Sequence, residues 1–183
     1  MINILMLNLI SSEYKEKIVA HHTKSRGGWG GAVNNKQPMI HKYMLLSDAK
    51  SVLDYGSGSS AFKNGIKQMY PDYKYTIHEY EPGIIGKDED PPVCDVTICY
   101  DVLEHIEPDK IDNVLQHIYD KTNKWFICNI SCVPSFGAFG DGSNLHLLVK
   151  KPEWWVKKLS TEKWNVLEMQ TTAKSVNMLL KKI

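Results

Sequence analysis

Apolar and polar positions along the chain follow two periods, one typical of strands and one typical of amphipathic helices. Short apolar or alternating runs predict strands over residues 51–55, 73–80, 93–100 and 125–130. Apolar residues at helical spacing predict a helix over 108–120, and a helix-like stretch that ends at Tyr70 follows the first strand. Strands alternating with helices are typical of an α/β domain with a mostly parallel sheet.

The end of the chain has a different pattern. Pro152 begins a short predicted helix, and two further strands are predicted over 164–169 and 176–183 with a short turn between them. This pair predicts an antiparallel C-terminal hairpin at one end of the sheet. Residues 82–92 and 131–144, rich in turn-forming residue types, predict loops, and a loop as long as the second is usually functional.

The first 50 residues lack this alternation. We expect one domain over 1–183, in which a helical cap and lid (1–50) covers a ligand-binding core (51–183). Within the cap, residues 41–46 predict a helix over the ligand site, and 26–31 predict a mobile lid whose Trp29 closes on substrate. The apolar run at 1–10 lacks signal-peptide features and is too short to span a bilayer, so we assign it to the fold.

Composition narrows the possible classes of protein. The 183 residues include 22 Lys plus Arg and 21 Asp plus Glu, a near-neutral balance that argues against a dedicated nucleic-acid binder. The four cysteines lie in apolar contexts without a CxxC pair, as expected of reduced core thiols in a cytoplasmic protein.

The near-neutral total conceals charged blocks. Residues 79–112 contain 11 acidic groups against only Lys87 and Lys110, whereas 150–183 contain eight Lys against three Glu. An acidic block of this kind suits cationic ligands and disfavours phosphate-rich ones.

The segment V-L-D-Y-G-S-G-S-S at 52–60 is the strongest local signal. A strand, an acidic residue, spaced glycines and then a helix predict a loop that binds a nucleotide-containing cofactor. Ala61 stands where a dinucleotide fingerprint has its third glycine, so the spacing alone admits NAD. Asp54 distinguishes a dinucleotide from a cationic ligand. A carboxylate in this loop repels a pyrophosphate and suits a cationic group such as an ammonium.

The second predicted strand ends in E-Y-E-P at 79–82. A carboxylate there accepts hydrogen bonds from both hydroxyls of a ribose. Either Glu79 or Glu81 suits this role, and we favour Glu81 because it directly precedes the loop.

A third motif, D-V-L-E-H, occupies 101–105 directly after the next predicted strand. With the D-x-G-x-G loop and the acidic strand end, it resembles class I S-adenosylmethionine-dependent methyltransferases over about 51–183. The later segments D-G-S-N-L-H-L and P-E-W-W look like those of small bacterial and phage methyltransferases. The resemblance implies a Rossmann-like sandwich. This sequence departs from the family's pattern in two places. Ser60 occupies a glycine position, and in 82–92 the usual third strand and its helix are reduced or missing.

The resemblance also implies roles for individual residues. Asp54, Gly56 and Gly58 would hold the methionine end of S-adenosylmethionine, and Glu81 would hold the ribose. Asp101 would face the transferable methyl group.

In a helical turn, Asp101, Glu104 and His105 lie at i, i+3 and i+4 on one face. Together with His146 from the later loop, they form a candidate site for Mg²⁺ or another divalent ion. The block is similar to the E-V-(L/I)-E-H of ubiquinone-pathway O-methyltransferases and small-RNA 2′-O-methyltransferases, where these positions bind a metal. The alternative is metal-free catalysis on Asp101, His105 and His146, in which either histidine acts as general base.

We therefore expect a methyltransferase that transfers a methyl group from S-adenosylmethionine to an oxygen of a small-molecule acceptor, without a membrane partner. One alternative is a methyltransferase for RNA or a modified nucleotide that uses the basic terminal blocks to contact phosphates. A second is a non-catalytic module that binds S-adenosylmethionine. A nicotinamide dehydrogenase is disfavoured by Asp54.

Overall fold

The computed structural model describes residues 8–24, 29 and 31–183. In chain order the elements are α1 (Ser12–Lys24), α2 (Gln37–Leu46), β1 (Ser51–Tyr55), α3 (Ala61–Met69), β2 (Thr76–Tyr80), β3 (Cys94–Tyr100), α4 (Ile111–Lys121), β4 (Thr122–Ser131), α5 (Pro152–Leu159), β5 (Trp164–Thr171) and β6 (Ser175–Lys182). Two short 3-10 turns, Gly31–Val33 and Leu103–His105, complete the list.

The strands form one sheet in the order β2-β1-β3-β4-β6-β5. The pairs β1–β2, β1–β3 and β3–β4 are parallel, and β6 pairs antiparallel with both β4 and β5. The α/β class, the mostly parallel sheet and the antiparallel hairpin are thus confirmed. The chain moves outward from β1 to β2 and returns to β3 on the other side, so the sheet has a switch point between β1 and β3. Ligands of open α/β sheets bind at such points, beyond the carboxyl ends of the strands.

Helices cover the sheet on both faces. Helices α3 and α4 each have an apolar face that meets the sheet, formed by Phe62 and Ile66 of α3 and by Val114 and Ile118 of α4. The β3 strand between these layers is buried along almost its entire length, as expected of a central parallel strand. All four cysteines are buried free thiols, which agrees with the interpretation of core thiols.

The strand predicted over 73–80 is shorter than expected. Pairing with β1 begins only at Thr76, because residues 70–73 form a turn in which the Tyr73 amide donates to the Tyr70 carbonyl. Tyr73 and Tyr75 therefore lie outside the strand. Residues 82–92 contain no strand and β2 is the sheet edge, as the missing third strand implies.

Helix α1 lies across the carboxyl edge of the sheet and is tied to three loops. Lys15 pairs with Asp88, Lys17 pairs with Asp141, and the Ser11 amide donates to Glu107 Oε2 at 2.7 Å. Of the lid expected at 26–31, only Trp29 and Gly31 are described, and most of the run at 1–10 also lies outside the described residues. Among the described helices, none has the length and apolarity needed to cross a membrane.

Candidate functional site

A cavity of about 330 Å³ opens at the switch point of the sheet. Its floor consists of the residues that follow β1, β2 and β3, namely Gly56, Glu81, Pro82, Asp101 and Val102. The loop after β4 adds Ser135, Leu145 and His146, and Tyr14 and Ile18 of α1 form a roof together with Trp29. The helix α2, expected to cover this site, contributes no lining residue, and α1 takes that place.

The backbone of the glycine-rich loop, which we define as residues 56–60, is left-handed at three of its five positions. The φ angles are 82° at Gly56, 44° at Gly58 and 66° at Ser60. A Cβ atom on Gly56 would overlap the Val102 side chain, so this position requires glycine for space as well as for conformation. The glycines thus let β1 turn sharply into α3 beside the cavity.

The amide groups of this loop all donate hydrogen bonds within the protein. Gly56 and Ser57 donate to the Tyr80 carbonyl (2.8 and 3.1 Å), and Ser60 donates to the Ser57 carbonyl (2.9 Å). Gly58 donates to Glu81 Oε2 at 3.3 Å, and Ser59 donates to the Trp29 carbonyl at 2.6 Å. A dinucleotide loop must keep such donors for its pyrophosphate, whereas this loop has already used them.

Asp54 lies behind the loop and is almost fully buried. Burial, reinforced by the negative charge of Glu79, raises the pKa of Asp54 to about 7, although Lys87 opposes the shift. Asp54 and Gly58 are not among the cavity-lining residues, in contrast to Gly56. A cation next to this carboxyl would stabilise its ionised form.

The structure separates the two candidate carboxylates of the second strand. Glu81 is buried, lines the cavity, and accepts hydrogen bonds from the amides of Gly58 and Gly83. Glu79 instead pairs with Lys63 at 2.7 Å and Lys87 at 3.0 Å, outside the cavity lining. Glu81 is therefore the carboxylate available to a ligand.

Asp101 occupies the turn after β3 with a φ of 50°. Its amide donates to the Asn129 carbonyl at 3.0 Å, which fixes the turn against β4. Burial raises the pKa of the Asp101 carboxyl, and the imidazole of His146 opposes this shift. Asp101 thus lies at the cavity floor near His146, but outside the helical turn expected for it.

Glu104, His105 and His146 form a cluster whose candidate ligand atoms all lie within 4.8 Å of one another. Glu104 is fully buried; its Oε1 accepts a hydrogen bond from the Ser131 amide, and its Oε2 has no partner. Burial raises the pKa of Glu104 to about 8 and lowers the pKa of His105 to about 4. Asp101, the fourth expected member, is not part of this group.

Both histidines are oriented in the same way. His105 Nδ1 lies 2.9 Å from the Leu145 carbonyl and His146 Nδ1 lies 2.6 Å from the Val133 carbonyl. Because a carbonyl only accepts, each Nδ1 carries the proton and each Nε2 keeps a free lone pair. Metal-binding histidines are held in this way, and so are general bases.

Three further residues near the site were missed or undervalued by the sequence analysis. The side chain of His22 in α1 is 6% exposed and lies beside Glu81, with 3.5 Å between Nε2 and Oε1. His117 bridges the Tyr55 hydroxyl and Asp90, at 3.0 Å each. Lys87 reaches the glycine-rich loop. None stands in a motif, because each meets its partner through the tertiary fold.

Comparison with solved structures shows the fold of S-adenosylmethionine-dependent methyltransferases. The 1,6-didemethyltoxoflavin-N1-methyltransferase of Burkholderia thailandensis, with bound 1,6-didemethyltoxoflavin and S-adenosylhomocysteine, superposes with a TM-score of 0.61 at 14% identity, over 93% of this chain and 87% of that chain. The N-methyltransferase NodS of Bradyrhizobium japonicum, in complex with S-adenosylhomocysteine, gives a TM-score of 0.55 at 11% identity, over 92% and 98%.

A third similar structure is the magnesium protoporphyrin IX methyltransferase of Synechocystis with bound S-adenosylhomocysteine. Its TM-score is 0.50 at 12% identity, over 81% of this chain and 82% of that chain. No protein-family model matches the sequence, and comparison with curated proteins gives no match.

Proposed function

We propose that this protein binds S-adenosylmethionine at the carboxyl edge of the sheet and transfers its methyl group to a small-molecule acceptor. The observation that carries the proposal is the glycine-rich loop, whose amides are already hydrogen-bonded, with the buried Asp54 behind it and Glu81 facing the cavity. This arrangement disfavours a pyrophosphate and suits a cationic ligand with a ribose. The fold shared with methyltransferases supports the same conclusion.

The residues present fit this cofactor. Gly56 lines the cavity and would contact its methionine end, Asp54 and Gly58 would act from behind that surface, and the Glu81 carboxylate would accept hydrogen bonds from the ribose hydroxyls. The apolar cavity wall formed by Ile106 and Val114 offers a surface for the base. When bound, the cofactor supplies an activated methyl group, so the protein has to align an acceptor and remove one proton.

The cluster of Glu104, His105 and His146 fits a divalent transition-metal ion better than Mg²⁺, because two of its three ligands are imidazoles and Mg²⁺ prefers oxygen ligands. It offers a buried carboxylate oxygen without a partner and two Nε2 atoms fixed by hydrogen bonds on the opposite ring nitrogens. Such an ion would lower the pKa of an acceptor hydroxyl. Asp101 lies outside the three-residue group and is proposed to face the acceptor instead.

Metal-free catalysis by the same residues remains the alternative for the proton transfer. The low pKa of His105, about 4, makes its imidazole a weak base at neutral pH. We therefore assign proton removal to His146 Nε2, with Asp101 close enough to stabilise the imidazolium that forms.

Charge within the cavity supports a small neutral or cationic acceptor bearing a hydroxyl. Among the described residues that line it, the acidic ones are Glu81 and Asp101, and none is Lys or Arg. An acceptor rich in phosphates would meet repulsion at this face.

Calorimetric titration with S-adenosylhomocysteine and, separately, with NAD tests the cofactor. We expect 1:1 binding of S-adenosylhomocysteine with a dissociation constant in the micromolar range, about −8 kcal/mol, and no heat of binding with NAD. Binding of NAD alone would contradict the proposal. Transfer of a tritiated methyl group to RNA but to none of a panel of phenols, catechols and alcohols would support the RNA alternative, and cofactor binding without transfer to either would indicate a binding module.

The affinity for S-adenosylhomocysteine should rise with pH below 7, because its ammonium group binds the ionised form of Asp54. With the pKa of Asp54 at about 7, each unit of acidification below that value lowers the ionised fraction about tenfold. We expect roughly tenfold weaker binding at pH 5 than at pH 6. In the Asp54→Asn variant the affinity should be low and nearly constant over this range; an unchanged slope in calorimetric titrations would exclude Asp54 as the group responsible.

A further inference from the structure

We infer that Lys87 is a positioning residue that holds the glycine-rich loop in its cofactor-binding conformation. The inference rests on the proposed function, since it assigns Lys87 to cofactor affinity. Lys87 lies in the segment 82–92, which stands where the resemblance implies a third strand and its helix.

The Lys87 ammonium meets as many close acceptors as it has N–H donors. Its Nζ donates to the Gly58 carbonyl at 2.8 Å, to Ser60 Oγ at 2.6 Å and to Glu79 Oε1 at 3.0 Å. A lysine ammonium carries three donors, so these bonds use all of them. The Ser57 hydroxyl lies somewhat farther away, at 3.4 Å.

Two of these contacts are made to residues with a left-handed backbone, Gly58 and Ser60. This conformation is sterically unfavourable for Ser60, because Ser60 has a Cβ atom. Ser60 is also the residue before α3, yet its hydroxyl makes no capping bond to the helix and accepts from Lys87 instead. The lysine thus fixes the direction of the Gly58 carbonyl and the start of α3 together.

The main chain of Lys87 is tied to the other cofactor-binding element. Its carbonyl accepts a hydrogen bond from the Glu81 amide at 2.9 Å, and its own amide donates to the Ile84 carbonyl at 3.0 Å. Glu81 in turn accepts from the Gly58 amide. Lys87 therefore connects the proposed ribose carboxylate, Glu81, with the glycine-rich loop. Residues 82–92 contain no third strand that could make this connection.

Lys63 offers a matched control. It pairs with the other oxygen of Glu79 at 2.7 Å, and its contacts in the described structure do not include the loop. Both lysines therefore compensate the charge of Glu79, but only Lys87 reaches Gly58 and Ser60. If the same substitution has a larger effect at Lys87 than at Lys63, the difference reflects the contacts with the loop and not the loss of a positive charge beside Glu79.

The test compares Lys87→Met with Lys63→Met in two measurements, the dissociation constant for S-adenosylhomocysteine and the hydrogen exchange of amides 57–60. We expect Lys87→Met to weaken binding about 10- to 30-fold and to accelerate exchange of these amides in the free protein. Lys63→Met should change affinity less than threefold and leave exchange unaltered. Equal effects of the two substitutions would overturn the inference. If Lys87→Met does not fold, Lys87→Gln, whose amide keeps two N–H donors on a shorter side chain, replaces it and should show an intermediate loss.

The two measurements also separate this inference from the proposed function. If the unsubstituted protein does not bind S-adenosylhomocysteine, the proposed function fails. The exchange rates of amides 57–60 in Lys87→Met and Lys63→Met still decide whether Lys87 holds the loop, because they need no ligand.

Discussion

Replacing Glu81 with Gln should weaken S-adenosylhomocysteine binding by roughly 30- to 100-fold, the loss expected when charge-assisted hydrogen bonds to one carboxylate are removed. Glu81 uses both oxygens in the free protein, with Oε2 facing the Gly58 amide and Oε1 facing the Gly83 amide. Glutamine has nearly the same shape, but its NH₂ group is a hydrogen-bond donor. It would face the N–H of Gly58 or Gly83, which also donates. The substitution therefore removes the charge that a ribose needs and disturbs the loop that carries Gly58.

Glu79→Gln is the control for this prediction. Glu79 lies two residues away outside the cavity lining, and glutamine at this position keeps an oxygen that can accept from Lys87, so its replacement should change affinity less than threefold. Calorimetric titration of both variants decides between the two carboxylates. A large loss with Glu79→Gln and none with Glu81→Gln would reverse our assignment.

The largest effect on catalysis should come from His146→Ala. We expect methyl transfer to fall about 10²- to 10⁴-fold, the usual contribution of a positioned acid–base group, while S-adenosylhomocysteine affinity stays within threefold. Activity is measured as tritiated methyl transfer to whichever phenol, catechol or alcohol the unsubstituted protein accepts. His78→Ala is the matched control, because His78 lies on β2 outside the cavity lining and should leave transfer unchanged.

The same variant distinguishes a metal ion from a general base. If Glu104, His105 and His146 bind a metal, the unsubstituted protein should bind Mn²⁺ in a paramagnetic resonance titration and lose activity with chelator, and His146→Ala should lose both. If His146 acts only as a base, chelator has no effect on the unsubstituted protein. Retention of full methyl transfer by His146→Ala would remove His146 from the site altogether.

The strand and helix pattern predicted most of the fold, because periodicity reports which face of each element is buried. The limits of β1, α5 and the hairpin agree with their apolar runs to within a few residues. The strand predicted from Tyr73 was too long, since aromatic side chains at alternate positions occur there in a turn. The helix α2 was predicted, but its predicted position over the ligand site was wrong. A sequence pattern indicates that a helix has an apolar face but does not indicate which surface that face contacts.

Local motifs likewise located candidate residues without giving their contacts. Glycine spacing and Asp54 identified the loop because a left-handed turn and a buried carboxylate depend on residue type. The choice between Glu79 and Glu81 depended on Lys63 and Lys87, which lie 16 and 8 residues from Glu79. The helical spacing that placed Asp101 with Glu104 and His105 assumed a regular turn, whereas Asp101 adopts a φ of 50° before that turn begins.

The sequence by itself determined the α/β class, the parallel core with its terminal hairpin, the glycine-rich loop after β1 and the acidic character of the region around the candidate site. These features depend on residue type and short-range spacing. Only the tertiary structure decided that α1 rather than α2 roofs the cavity, that the rings of His105 and His146 lie 4.7 Å apart, and that Lys87 contacts the loop. Those contacts join residues 27 or more positions apart, such as Lys87 and Ser60, and the packing of the sheet and helices, rather than any local preference, brings them together.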